Sequence, residues 1–88
     1  MIEKETHMTE QEIQKILTEA LENLFEIDPE KIKLDTNLYE DLEIDSIDAI
    51  DLIDNIKRQT GYKLQAEDFR NVRTVNDVIQ AVVKVSQQ

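Results

Sequence analysis

Gly61 and Pro29 are the only glycine and the only proline in a chain of 88 residues. Sheet-rich folds need many tight reversals, and a chain so poor in the residues that make them is steered toward helices joined by short loops. The apolar pattern agrees. Thr9 and Glu12 have the spacing of a capping box, and Ile13, Ile16, Leu17, Ala20, Leu21, Leu24 and Phe25 then recur at the three-and-four spacing of one helical face. A helical period resumes at Asp45 and runs to about Gln59, where Lys57 and Arg58 suit the negative end of a helix dipole and Gly61 can supply a left-handed stop. Thr74 and Asp77 open a last helix with Val75, Val78, Ile79, Val82 and Val83 on one face. Residues 66 to 71 have room for a short helix before it.

The stretch from Ile27 to Ile44 is different. Pro29, Asp35, Thr36 and Asn37 interrupt isolated apolar anchors at Ile32, Leu34, Leu38, Tyr39 and Leu42, which predicts a long ordered loop with one helical turn near Leu38. A connection of this length in a small domain counts against a simple bundle unless the loop has a function. The chain has room for a single core, because at this size only a little over about 60% of the unfolded surface is buried on folding.

Composition narrows the partners. Ten basic residues stand against twenty acidic ones, for a formal charge of −10. That field repels nucleic acid and anionic lipid and favours basic protein surfaces. There is no cysteine, so neither a disulfide nor a thiolate metal site is available, which suits a reducing cytosol. No apolar run approaches the roughly 20 residues that span a bilayer, and MIEKETHM lacks the features of a signal peptide. The expectation is a cytoplasmic monomer with a flexible segment at residues 1–8.

Ser46 stands between two aspartates where the acidic loop turns into the second helix. Two local roles are open to it. It can cap the helix, its oxygen accepting from an orphan backbone donor, for about 1 kcal/mol. Alternatively Asp45 caps the helix, with Asp48 three residues on, and Ser46 becomes the first helical residue with a free hydroxyl; a phosphate attached there would meet the positive end of the helix dipole. On a helical wheel with Ile47 at zero, Ala49, Ile50, Leu52, Ile53 and Ile56 fall between about 140° and 300°, the arc expected to face the core. Asp48, Asp51, Asp54 and Arg58 fall opposite. Ile47 falls with them, where it either tucks against the loop or waits for a partner.

The triplet Asp45, Ser46, Ile47, within EDLEIDSIDAIDLID, resembles the signature of the acyl carrier proteins. The likeness extends to the long first loop, the short third helix and RTVNDVIQAV at the start of the last helix. It implies an all-α, four-helix bundle over residues 9–86. In such a bundle Ser46 receives phosphopantetheine from coenzyme A through a phosphopantetheinyl transferase, and the terminal thiol then carries acyl groups as thioesters. Asp45 and Ile47 would flank the attachment point. Glu43, Ile47, Asp48, Asp51 and Asp54 would meet the basic docking patches of acyl-transferring and condensing enzymes in fatty-acid, polyketide or related lipid pathways. Some carriers of this type also shelter the acyl chain between helices. The chain departs from the family at Glu43, where glycine is frequent, and at Ile47, where leucine is. Lys57 and Arg58 reverse the sign of a helix end that fatty-acid members keep acidic, and QAEDF stands where a proline commonly precedes the third helix.

Other chemistries fit poorly. The single histidine, His7, lies in the N-terminal tail, so no serine-histidine pair is expected and the chain is read as a non-enzyme. Asp45, Asp48, Asp51 and Asp54 recur every third residue, which stacks them along a helix, whereas a calcium loop takes ligands at alternate positions around a turning glycine; no metal is expected. The alternative to a carrier is an acidic helical interaction module with no prosthetic group.

Overall fold

The computed structural model describes residues 9–87, so the expected flexible segment 1–8, with His7, lies outside the described residues. Three α-helices form where the periodicity places them: α1 over Glu10–Phe25, α2 over Ser46–Thr60 and α3 over Val75–Ser86. Two 3-10 turns, Pro29–Lys31 and Ala66–Phe69, complete the regular structure. The expected four helices are thus three α-helices and, in place of the short third one, a single 3-10 turn.

Capping explains the starts. The Thr9 hydroxyl accepts from the Glu12 N–H at 3.1 Å, and the Glu12 carboxylate accepts from the Thr9 N–H at 2.9 Å. The same reciprocal box recurs at Thr74 and Asp77, with both bonds at 3.1 Å. The Asp77 carboxylate also accepts from the Arg73 N–H at 3.1 Å. The backbone donors of Thr74 and Arg73 hold its carboxyl below the usual carboxylate range. The ends of α1 and α2 are closed by left-handed residues, Glu26 at φ 56° and Gly61 at φ 78°. Only the second is a residue that adopts this conformation without steric cost.

The three helices bury Ile13, Leu17 and Leu21 from α1, Leu52 and Ile56 from α2, and Val75, Ile79 and Val82 from α3 in one contiguous core. Each such side chain contributes roughly 1.5–3 kcal/mol as an upper figure. Leu24, expected on the inner face of α1, is 40% exposed near the helix end.

The long first connection is ordered by its own polar groups. Asp28 caps the 3-10 turn by accepting from the Glu30 N–H at 2.9 Å, with Pro29 in the first position that tolerates it. The helical turn expected near Leu38 forms over residues 38–41. Asn37 accepts there from the N–H groups of Tyr39 and Glu40, and its own N–H donates to Asp41. Ile32, Leu38 and Ile44 enter the core, but Leu34 and Tyr39, expected as anchors, stay exposed. Main-chain bonds then stitch the connection to the beginning of α3. Leu38 N–H donates to the Arg73 carbonyl at 2.8 Å, Val75 N–H to Thr36 at 3.0 Å, and Asn76 N–H to Leu34 at 2.9 Å. The loop is thereby held as a strap that delivers the chain to the start of α2.

Candidate functional site

The start of α2 is set by the residues just before it. Ile44 is buried, and its N–H donates to the Leu38 carbonyl at 3.0 Å, closing the strap. Glu43, immediately upstream, takes the left-handed region at φ 58°; this is the position where the resembled family favours glycine, and the backbone explains why.

Asp45 is the cap. Its carboxylate accepts from the Asp48 N–H at 2.9 Å and its carbonyl from the Ala49 N–H at 2.9 Å. Of the two local roles open to Ser46, the structure therefore selects the second: Ser46 is the first residue of α2, exposed, with its hydroxyl outside the capping bonds. The N–H groups of Ser46 and Ile47 lie in the first turn, where the helix has no carbonyl to offer them. An exposed hydroxyl beside such donors fits a bulky substituent joined through a phosphate. Ser86, the other serine in the chain, is buried and donates to the Val83 carbonyl at 2.7 Å.

The carboxylates do not form a nest. Asp48 is half-buried, Asp51 exposed, and Asp54 is bonded to Arg58 one turn later. Among the described residues no group of three or more histidine, cysteine, aspartate or glutamate side chains is placed to hold a metal ion. No described helix is long and apolar enough to cross a membrane.

Ile47 is 70% exposed, so it does not tuck against the loop. Ile50, expected in the core-facing arc, is 60% exposed and corrects that reading. The reason is a cavity of about 180 Å³ between α2 and the segment around Phe69 and Val72. Ser46, Ala49, Ile50 and Ile53 wall it on the α2 side, so the covering that would bury Ile50 is missing. No sequence signal separated Ile50 from the buried members of its arc. The cavity itself left none, because it is formed by residues distant in the chain.

The pattern of a family described as "Phosphopantetheine attachment site" matches residues 15–82. "Acyl carrier protein 2" of Ralstonia nicotianae is 43% identical over 75 residues, covering 85% of this chain and 93% of that protein. "Acyl carrier protein" of Lactobacillus johnsonii is 31% identical over 75 residues, covering 85% and 94%. "Meromycolate extension acyl carrier protein" of Mycolicibacterium smegmatis is 29% identical over 80 residues, covering 91% and 81%. A match through all three helices, together with a free serine at the head of the second, establishes that this chain belongs to the acyl carrier protein family, whose members bear covalently attached phosphopantetheine.

Proposed function

We propose that Ser46 is the attachment residue and that residues 9–86 form the carrier unit, with Ala66–Phe69 in the place of the family's short third helix. The observation that carries this reading is the division of labour between Asp45, which takes the cap, and Ser46, which keeps its hydroxyl. In attachment the Ser46 Oγ forms a new bond to phosphorus of coenzyme A. The phosphoanhydride bond to the nucleotide half breaks, and the hydroxyl proton passes to a base on the transferase. The attached group supplies a thiol that holds acyl groups as thioesters. Asp45 keeps the helix start in register, and the first-turn N–H groups favour the new phosphodiester.

The chain itself catalyses nothing in this reading; it presents its cargo. Glu43, Asp48 and Asp51 steer basic docking patches of the transferase and of acyl-transferring and condensing enzymes, Asp54 adds to them where its pairing allows, and Ile47 is buried on contact. The cavity beside Ser46 shelters the first carbons of an acyl chain. The protein works as a monomer in the cytoplasm.

The test is an intact-mass measurement after incubation with coenzyme A and a broad-specificity phosphopantetheinyl transferase. The mass should rise by one arm in the parent and not in Ser46→Ala. An unmodified parent, or a modified Ser46→Ala, would remove the assignment.

A further inference from the structure

Helix α2 carries its charges in two unlike halves. Its cap and first turns present Asp45, Asp48 and Asp51 with no cation among them, whereas its last two turns set Asp54 against Lys57 and Arg58. The second half divides again. Arg58 is bonded to Asp54, with side-chain exposures of 78% and 49%. A pair this open to water adds little stability, but it cancels both charges in the field that a partner meets.

Lys57 is what remains. It is exposed and has no carboxylate partner among the described residues. It shares the rim of a second groove with Asp54, whose charge is taken up by Arg58, and the apolar walls of that groove are Ile50, Ile53, Leu64 and Ala66. Ile50 also walls the cavity beside Ser46. An apolar strip thus leads from Ile47 through Ile50 to an uncompensated ammonium, about 16 Å along the axis from Ser46. Asp51 and Lys57 are separated by about 9 Å along the same axis. That is comparable to the screening length at physiological salt, so a docking surface senses the two ends separately.

We propose that Lys57 is the specificity-determining residue of α2. It selects a protein partner whose docking surface is basic opposite the first turns and carries an acidic side chain opposite Lys57, and it rejects surfaces that are basic along their whole length. This rests on the reading of α2 as the docking helix and names the chemistry of its partner. Rejection follows because an ammonium pressed against an arginine in a dehydrated contact loses its water and gains a like charge. Acceptance follows because the exposed rim of the groove lets a carboxylate reach Lys57 while Ile50 is covered.

The test uses the full chain bearing its arm and, as probe, a fatty-acid condensing enzyme whose docking patch contains only arginine and lysine. Dissociation constants are measured at low and high salt for the parent, Asp51→Asn, Lys57→Glu and Lys57→Met. Lys57→Met keeps the apolar stem without the charge. Asp51→Asn should weaken binding. Lys57→Glu should tighten it roughly fivefold to tenfold at low salt and much less at high salt, with Lys57→Met between it and the parent. A glutamate placed in the probe's patch opposite the helix end should reverse the order and favour the parent. If Asp51→Asn weakens binding while both Lys57 variants match the parent, this inference fails and the docking reading survives. If Asp51→Asn also matches the parent, α2 is not the docking helix and both fail.

Discussion

Helices α2 and α3 begin with nearly the same vocabulary, a small polar cap followed three residues later by an aspartate, and put it to opposite uses. At α3 the cap is Thr74, its hydroxyl accepts from Asp77, and the Asp77 carboxylate returns the bond. Both side chains are consumed by the helix. At α2 the cap is Asp45, which satisfies Asp48 N–H by itself. The hydroxyl of Ser46 stays outside the capping bonds, and the Asp48 carboxylate returns no capping bond among those of the described residues. A capping motif can thus either close a helix end or open it. Moving the cap one residue upstream of a serine converts a structural hydroxyl into a chemical one.

The contrast is sharpest as a double dissociation. Ser46→Ala should melt with the parent and accept no arm, whereas Thr74→Ala should accept the arm normally and lose about 1 kcal/mol of stability. For a domain of this size that corresponds to about 4–8 °C in melting temperature. Mass spectrometry and thermal denaturation of the two variants check it. Loss of attachment in Thr74→Ala, or a large melting shift in Ser46→Ala, would contradict this division of roles.

Asp45→Ala should then reveal the competition that Asp45 suppresses. With the cap gone, stability falls by about 0.5–2 kcal/mol and the Ser46 hydroxyl is drawn toward the vacant donors. Attachment should slow. Asp45→Asn, which caps equally well, should keep the parental rate in a timed mass assay.

The starts of α1 and α3 were legible in the sequence because capping is local: Thr9 with Glu12 and Thr74 with Asp77 lie within one turn, whereas at α2 the same spacing left both Asp45 and Ser46 open as the cap. The position of Ile50 was not legible either, since the wheel treats its whole apolar arc as covered, and here the cover stops at a cavity. Within the strap, nothing periodic separates Ile32 and Leu38, which are buried, from Leu34 and Tyr39, which are not. For Leu34 and Leu38 the difference is tied to main-chain bonds with the start of α3, formed with residues roughly forty positions away. The pairing of Asp54 with Arg58 lies at the helical i, i+4 spacing. It could have been read from the sequence, and it lessens the weight of Asp54 in the docking set.

Acid titration tests the α3 box directly. Backbone donors from Thr74 and Arg73 lower the pKa of Asp77. A group depressed in the folded state contributes its full stability above its unfolded pKa and loses it as pH falls through the folded value. The melting difference between parent and Asp77→Asn should therefore be largest near about pH 6 and shrink toward about pH 2. A difference that stays constant or grows on acidification would contradict the assignment.

The smallest effect is expected at Glu43, whose φ of 58° strains a residue with a side chain. Replacement by glycine relieves that strain but adds freedom to the unfolded chain. The net gain should not exceed about 1 kcal/mol, read from denaturant midpoints. A clear loss of stability would mean that the Glu43 side chain supports the turn into α2.

The most direct measurement is localisation of the arm by tandem mass spectrometry on the modified, trypsin-digested protein. Cleavage after Lys33 and Lys57 releases residues 34–57, which contain Ser46 as their single serine, while Ser86 falls in a separate peptide. All of the added mass should reside on the 34–57 peptide, and fragment ions should place it on Ser46. Added mass on any other residue would contradict the claim that the Asp45 cap frees this hydroxyl for attachment.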